Sequence, residues 1–360
     1  MKSAYLVTGI RFRALMKLMI RNHYSVLPPY CFRFLFILQN SLWSSFFARR
    51  DHLIWGEYYG QYPLPDNPII IVGHWRTGST WLHQLMNLDP ELSAPTLYQT
   101  SMPCSFITAR PFYEPVMKRL IGKFRPFDQV RAGIDEPQED EFALFRMGCV
   151  SPLEQVMFPG GKDYFLLSKE SVFLPEGDAE EKLVRSMKAF YTKVAWFNRK
   201  RLVLKNPFHS MRISMLRQVF PNARFIHIIR DPYEVVPSTI RMWSVVGRQN
   251  SMNHRWKDPQ VAEVAEFYAK MLRTINKDFC HLPAGTYTQL TYESLVADPV
   301  AALQQAYQEI GLQFSPEFVR SIQTYMEENK GFEKNRYQLS DQDNAEIANR
   351  LDDLLPQYKK

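Results

Sequence analysis

The sequence predicts an α/β fold in which a parallel β-sheet is flanked by helices and preceded by an N-terminal helical arm. Short, continuous apolar runs alternate with segments of helix length, which is typical of parallel strands covered on both faces. The first 55 residues contain none of the predicted strands and read as helical, up to a proline-containing connector at 62–68. We therefore place a domain boundary near residue 60.

The apolar runs and the helical patterns give the order of the elements. The predicted strands are residues 67–73, 201–205, 223–230 and 286–293. The predicted helices after the arm are residues 178–200, 209–219, 232–246, 258–279 and 298–310. In open sheets of this kind, ligands bind at the carboxyl ends of the strands, so residues that follow a strand are the first candidates for a site.

The N-terminal arm differs in charge from the rest of the chain. The net charge of the 360 residues is +7, and residues 1–50 contain eight Lys or Arg, ten aromatic residues and no Asp or Glu. Basic, aromatic helices without acids are typical of segments that lie in a membrane interface, so 1–50 is a candidate membrane-binding segment. Packing on the body or on a second subunit is an equally open alternative. Cations dispersed among large apolar residues, without an accompanying motif, argue against nucleic acid as a partner.

The cysteines and the start of the chain indicate a location. Cys31, Cys104, Cys149 and Cys280 lie far apart, which favours a reducing compartment and gives no metal-site spacing. The arm does not resemble a signal peptide, because basic residues interrupt its apolar residues. The most apolar stretch, 32–47, falls short of the ~20 apolar residues of a membrane span. We expect a cytoplasmic protein, with attachment to the inner face of a membrane if the arm is interfacial.

A phosphate-binding loop is predicted directly after the first strand. Residues 73–80, GHWRTGST, fit G-x-x-x-x-G followed by Ser-Thr, at a turn from strand to helix. Its glycines allow close backbone approach, and amides at the helix N-terminus attract an anion. ATP-hydrolysing loops carry Lys where this chain has Ser79, whereas here the cation is Arg76. Arg76 can neutralise a terminal group of lower charge, such as a sulfuryl group, without a divalent metal.

The stretch WRTGSTW, residues 75–81, resembles the 5′-phosphosulfate loop of sulfotransferases that use 3′-phosphoadenosine 5′-phosphosulfate (PAPS). These enzymes carry a second signature, a strand that ends in Arg, followed by Asp and by a helix with Ser eight residues after that Arg. Arg230, Asp231 and Ser238 match it. Asp231 is a good N-cap and Pro232 a good first helical residue, so Ser238 lies two turns on and faces the strand end. The resemblance implies that Arg230 and Ser238 bind the 3′-phosphate.

Further segments extend the resemblance over roughly residues 67–340, but not to the arm. Lys205, at the end of a predicted strand, matches a lysine that contacts the moving sulfuryl group, and Tyr292 matches a cofactor contact. The late segment 331–339 resembles a basic loop that covers the 3′ end of the cofactor. The resemblance implies a sulfotransferase domain at 61–360, with PAPS as donor, adenosine 3′,5′-bisphosphate (PAP) as product, and no metal. The implied cofactor-binding residues are Arg76, Thr77, Gly78, Ser79, Thr80, Trp81, Arg230, Ser238, Tyr292, Lys334 and Arg336.

The implied reaction is in-line attack of an acceptor hydroxyl on sulfur, with Arg76 and Lys205 stabilising charge on the leaving phosphate. A general base must accept the hydroxyl proton. Relatives often place a carboxylate where this chain has Gln99, so we favour Glu139 in the acidic cluster at 133–145. That cluster has a plain structural alternative, since acids in a first helical turn stabilise the helix dipole. The other candidate bases are Glu136, Asp140, His74 and His209.

The expected acceptor is a hydroxyl-bearing lipid, a membrane-borne glycan or a small molecule. Two other function classes stay open at this point. A P-loop kinase or NTPase is disfavoured by Ser79 in place of Lys. For a non-catalytic nucleotide-binding membrane adaptor, the best support is the missing acid at Gln99.

Overall fold

The computed structural model describes residues 6–121, 133–160, 166–167, 173–329, 338–351 and 353–354. The chain forms two compact units. The first comprises Met1–Leu64, Pro95–Arg199 and Trp243–Asp258. The second comprises Pro65–Ala94, Lys200–Met242 and Pro259–Lys360. The domain boundary that we predicted near residue 60 stays a prediction.

The second unit is built on a parallel sheet. Within the described residues its strands are β1 Ile69–Val72, β2 Leu92–Ser93, β3 Arg201–Lys205, β4 Arg224–Ile229 and β5 Tyr287–Thr291, in the order β2-β3-β1-β4-β5. All neighbouring strands are parallel, and Ile69 of β1 lies opposite Val203 on one side and Arg224 on the other. The α/β prediction is confirmed: β3 spans the residues predicted for it, and the other three predicted strands are slightly shorter than expected. The two-residue β2 was not predicted, because so short a strand has no recognisable pattern.

Helices surround the sheet of the second unit and make up the first unit. They are α1 Phe12–Arg21, α2 Cys31–Gly60, α3 Ser79–Met86, α4 Leu97–Ser101, α5 Arg110–Leu120, α6 Glu141–Arg146, α7 Leu153–Met157, α8 Asp178–Asn198, α9 Ile213–Val219, α10 Pro232–Asn250, α11 Val261–Phe279, α12 Tyr292–Ala297, α13 Pro299–Glu309, α14 Pro316–Glu328 and α15 Asp341–Leu351, with 3-10 turns at Pro28–Tyr30 and Pro207–Met211. The one predicted helix that differs in kind is 209–219. Its first part is the 3-10 turn at Pro207–Met211, and α9 begins only at Ile213.

The core of the second unit explains why its strands read as continuous apolar runs. Every residue of β1 is buried, because β1 is central and both faces of the sheet are covered. Leu82, Leu85 and Met86 of α3 pack in the same apolar cluster as Ile69 and Ile71. A rigid, central β1 gives the loop that follows it a fixed starting point.

The first unit is helical and contains a buried ion pair. The carboxylate of Asp51 on α2 lies 2.9 Å from Nζ of Lys193 on α8, and both side chains are buried. Oδ2 of Asp51 also accepts hydrogen bonds from the backbone amides of Ile107 and Thr108, each at 3.1 Å. Burial lowers the pKa of Lys193, and the Asp51 carboxylate opposes that shift. The pair therefore ties α2 to α8 and to the 105–109 turn.

Candidate cofactor site

Three neighbouring strands of the second unit end at one edge of the sheet. The loop 73–78 follows β1, Lys205 is the last residue of β3, and Arg230 directly follows β4. Since β3, β1 and β4 are adjacent and parallel, their carboxyl ends meet at that edge. These candidate residues, which were predicted from the sequence, lie at this edge. It is also the point where the strand order reverses, because β3 lies on one side of β1 and β4 on the other. Open α/β sheets bind their ligands at such a point.

The loop after β1 requires glycine at both ends. Gly73 has φ +140°, and a Cβ on it would lie 2.6 Å from the carbonyl oxygen of Ile228. Gly78 has φ +92°, and a Cβ on it would lie 2.2 Å from Cδ2 of the Tyr292 ring. Any side chain at either position would displace a neighbour. The loop is thus a close-fitting backbone cradle that opens α3, the arrangement in which helix amides bind an anion.

Arg76 joins the two predicted signatures. Its Nε donates to Oγ of Ser238 on α10 at 2.9 Å, and its carbonyl oxygen accepts from Nη1 of Arg230 at 3.1 Å. The backbone of Arg76 is left-handed, with φ +71°. Such a conformation costs a non-glycine residue ~1–3 kcal/mol and persists only where the surroundings hold it. The loop cation and the later Arg/Ser pair therefore form one cluster.

Arg230 is held from several sides. Its guanidinium carbon lies 4.3 Å from the centroid of the Tyr292 ring, and Nη2 lies 3.0 Å from the Glu234 carboxylate. The hydroxyl of Tyr268 donates to the carbonyl oxygen of Arg230 at 2.9 Å. Burial raises the pKa of Tyr292, so its phenol is neutral and can stack on a cation without adding charge. These contacts fix the direction of the guanidinium before any ligand arrives.

Lys205 brings a further cation to the loop. Its side chain is only 2% exposed, and Nζ donates to Oγ1 of Thr80 at 3.3 Å. Thr80 lies in the first turn of α3, one residue after Ser79. A lysine from β3 thus brings a cation to the first turn of α3, next to Ser79, where ATP-hydrolysing loops carry Lys.

Two histidines that we considered as bases lie in the second unit. His74 is fully buried, its ring centroid is 4.6 Å from that of Tyr268, and its Nδ1 lies 2.9 Å from the carbonyl oxygen of Trp75. Burial lowers the pKa of His74 to about 3. Nδ1–H therefore donates to that carbonyl, and the neutral ring is a weak base. His209 is buried in the 3-10 turn after β3.

The acidic cluster and Gln99 lie in the first unit. Asp140 accepts a hydrogen bond from the Tyr191 hydroxyl at 2.7 Å, and Glu141 accepts one from Ser151 at 2.6 Å. Both carboxylates are buried, whereas Glu139 and Glu136 are partly exposed. Gln99 forms a capping box with Thr96 at the start of α4. Asp140 thus has a structural partner, and the role of Glu139 as base stays a prediction.

Besides the predicted cofactor contacts that remain, the site has two contacts that the sequence did not predict. Lys334 and Arg336 fall outside the described residues. Trp81 packs edge-on against Tyr292, with ring centroids 6.2 Å apart. Sequence reasoning missed Glu234 and Tyr268. Only the spacing of four between Arg230 and Glu234 could have pointed to the ion pair, since it is the spacing of helix-surface pairs.

Comparisons with known proteins agree with this geometry. A sequence model of the Sulfotransferase family matches residues 68–316, more than half of the chain. The omega-hydroxy-beta-dihydromenaquinone-9 sulfotransferase Stf3 of Mycobacterium tuberculosis (strain CDC 1551 / Oshkosh) is 31% identical over 359 residues, which cover 99% of this chain and 91% of that protein. This alignment includes the arm, where the motif resemblance did not reach.

Two solved structures share the fold. The sulfotransferase STF9 from Mycobacterium avium superposes with a TM-score of 0.65 at 18% identity, covering 86% of this chain and 81% of that chain. The sulfotransferase STF1 from Mycobacterium tuberculosis H37Rv superposes with a TM-score of 0.59 at 16% identity, covering 94% and 92%. On the family match and the full-length relative, this chain belongs to the sulfotransferase family and is an enzyme of that class.

Proposed function

We propose that this protein transfers the sulfuryl group of PAPS to a hydroxyl group of a lipid. The observation that carries the proposal is the 2.9 Å hydrogen bond from Arg76 Nε to Ser238 Oγ, which joins two signatures 162 residues apart in the chain. The alternative of a P-loop kinase or NTPase is not favoured, because Ser79 replaces the lysine that such enzymes place on the β- and γ-phosphates.

The residues at the strand ends fit a nucleotide with two anionic ends. Arg76, Lys205 and Arg230 supply three cations, Ser238 and Thr80 supply hydroxyls, and the Gly73–Gly78 backbone leaves room for close approach. In the proposed assignment, Arg230 and Ser238 bind the 3′-phosphate, and the 75–81 loop binds the 5′-phosphosulfate. The assignment follows the family resemblance, and the clustering of these residues supports it.

The proposed mechanism is electrostatic. Arg76 and Lys205 hold their positive charges where negative charge grows on the leaving phosphate as the hydroxyl attacks sulfur. Preorganised donors of this kind lower the barrier because they need not reorient during the reaction. Glu139, in the acidic cluster favoured from the sequence, is the proposed base for the hydroxyl proton, and its side chain is partly exposed.

The proposed acceptor class is a lipid with a free hydroxyl group. The support is the full-length relative at 31% identity, whose name describes a hydroxylated menaquinone derivative as its acceptor. A membrane-borne glycan or a small hydroxyl compound would present the same attacking atom, so the acceptor screen must include all three.

The test combines binding and turnover by the purified protein. We expect calorimetry to detect PAP binding without added magnesium, and radiolabelled sulfate to move from PAPS to a hydroxylated polyisoprenoid quinone. Labelling of sugars or phenols alone would refute the lipid acceptor. Absence of PAP binding, or magnesium-dependent ATP hydrolysis in its place, would refute the sulfuryl-transfer proposal itself.

A further inference from the structure

Helix α2 of the first unit carries an apolar stripe on its exposed side. We define the α2 stripe as Phe32, Leu35, Phe36, Leu42, Trp43, Phe46, Leu53, Ile54 and Tyr58, all of which are exposed. Phe32 is 87% exposed, Leu53 72% and Tyr58 62%. Their spacings of one, three, four, six and seven residues place them on one broad face of the helix. Single exposed leucines are ordinary, but nine large apolar side chains exposed on one helix face indicate an interaction site.

The buried side of α2 has the opposite character. Its buried residues are Ile37, Ser41, Ser44, Phe47, Ala48, Asp51 and Gly56, which are mostly small or polar. The hydroxyl of Ser41 donates a hydrogen bond to the carbonyl oxygen of Leu38 within the helix, and Asp51 pairs with Lys193 on α8. The helix is thus attached to its unit by Ile37 and Phe47 together with small residues and an ion pair. The nine large apolar side chains of the stripe are left exposed.

Cations surround the stripe. Arg49 and Arg50 are exposed within the same helical face, and Arg11, Arg13 and Lys17 are exposed on or next to α1, which packs on α2. Residues 1–50 contain no carboxylate side chain. On α5, which lies beside α2, Phe112 is also exposed, and its ring centroid lies 5.1 Å from that of the buried Phe47. The partner of this surface must therefore be both apolar and anionic.

We propose that the α2 stripe docks this protein on the surface of an anionic lipid bilayer. Large apolar side chains would enter the boundary between headgroups and acyl chains, while arginines and lysines meet the anionic headgroups, each worth about 1 kcal/mol near such a surface. Among the described residues, none of the helices has the length and hydropathy of a membrane span. In this proposal α2 lies in the plane of the interface. A second copy of the chain fits less well, because Glu57 is the only exposed carboxylate on α2 against two exposed arginines.

The test measures vesicle binding without nucleotide, so it does not depend on the transfer reaction. The probes are vesicles of phosphatidylcholine mixed with phosphatidylglycerol, and vesicles of phosphatidylcholine alone. We expect the full chain to float with the mixed vesicles and to bind the neutral ones more weakly. Trp43→Ser/Phe46→Ser and Arg49→Glu/Arg50→Glu should each weaken binding to mixed vesicles by about tenfold or more.

Matched variants control for apolar loss and for net charge. Val296→Ser removes an exposed apolar side chain on α12, and Lys277→Glu/Arg320→Glu makes the same charge change on α11 and α14; both should bind as the wild type does. On vesicles, a blue shift in fluorescence that Trp43→Phe abolishes would place the stripe in the interface. Equal binding by stripe variants and controls would overturn the proposal. The proposal would also be overturned if the wild type did not bind vesicles but formed a dimer, and if Trp43→Ser/Phe46→Ser dissociated that dimer.

Discussion

At the scale of single residues, Arg76 is the most constrained side chain of the site. It combines a left-handed backbone with contacts to Ser238 and Arg230, and both contacts link segments distant in sequence. Strained backbone of this kind is concentrated at functional sites, where surrounding structure holds it. The catalytic role that the motif resemblance implied for Arg76 stays a prediction.

Replacement of Arg76 tests that role. We expect Arg76→Ala to lower kcat/KM for sulfuryl transfer by about 10²–10³-fold, because the leaving phosphate loses a preorganised cation. Arg76→Lys should recover only part of this loss, since lysine lacks the forked guanidinium. The control is Arg241→Ala, an exposed arginine of α10. Near-wild-type transfer by Arg76→Ala, measured with labelled PAPS, would remove Arg76 from the mechanism.

At the scale of elements, the loop after β1 depends on Gly78 for two separate reasons. Alanine there would be strained at φ +92°, and its Cβ would meet the Tyr292 ring. We expect Gly78→Ala to weaken PAP binding by at least tenfold, about 1.4 kcal/mol, as measured by calorimetry. Gly311→Ala is the matched control, because Gly311 also has positive φ, +66°, but no atom within 4 Å of the added Cβ.

A double-mutant cycle separates the clash from the backbone strain. If the ring of Tyr292 is the obstacle, Gly78→Ala should lower the free energy of unfolding less in a Tyr292→Ala background than in the wild type. Strictly additive effects would show that backbone strain alone is responsible. The cycle needs only denaturant titrations of four proteins, so it is independent of the assignment of the nucleotide.

The ion pair between α2 and α8 makes a prediction about the first unit. Asp51→Ala leaves Lys193 buried without its carboxylate and leaves the amides of Ile107 and Thr108 without their acceptor. We expect the free energy of unfolding to fall by about 3–5 kcal/mol, measured by urea denaturation. Glu57→Ala, an exposed acid on the same helix, should change it by less than about 0.5 kcal/mol. Equal effects would contradict a structural role for the pair.

Helix α2 also shows where sequence reasoning stopped. Its existence followed from the helical character of the arm, but its apolar residues would ordinarily be assigned to a core. The structure instead buries Ser41, Ser44 and Asp51 and exposes Trp43 and Phe46. Which face of a helix is buried depends on its tertiary partners, and the partner of Asp51 lies far away in sequence on α8.

At the scale of the whole molecule, two buried histidines should make the free energy of unfolding decrease at acidic pH. Burial lowers the pKa of His74 to about 3 and that of His227 to about 4, from an ordinary value of 6.5. Between the lowered pKa of each histidine and 6.5, that histidine binds a proton in the unfolded chain but not in the folded chain. The free energy of unfolding should therefore fall as the pH drops below about 6.5, by up to about 1.4 kcal/mol per pH unit for each histidine.

Comparison of variants isolates this effect from the titration of carboxylates. Between about pH 6.5 and about pH 4, His227→Gln should reduce the slope of the free energy of unfolding against pH. The reduction should be up to about 1.4 kcal/mol per pH unit, the contribution of one proton, as measured by urea denaturation at a series of pH values. His281→Gln changes an exposed histidine and should leave the slope as in the wild type. An unchanged slope for His227→Gln would mean that His227 is not held neutral in the folded state.

The fold and the cluster at the strand ends could be predicted because their signals are local. A strand, a glycine turn and a helix start lie within residues 69–79, and the spacing from Arg230 to Ser238 is fixed by one helix. The pairing of Arg230 with Glu234 and the stacking of Tyr292 depend on how distant segments pack, so they required coordinates. The predicted cytoplasmic location and the roles of individual residues stay predictions, and cell fractionation tests the first.

The position of β1 between β3 and β4 has a consequence for how the protein is made. On the ribosome, Ile69–Val72 is synthesised early, but its neighbours begin only at Arg201 and Arg224. Until then a four-residue apolar edge has no pairing partner in the nascent chain, and such non-local pairing is slow and prone to aggregation. Truncated translation products that end before Arg201 should accordingly be insoluble, and chaperone capture during synthesis should be strongest over that interval.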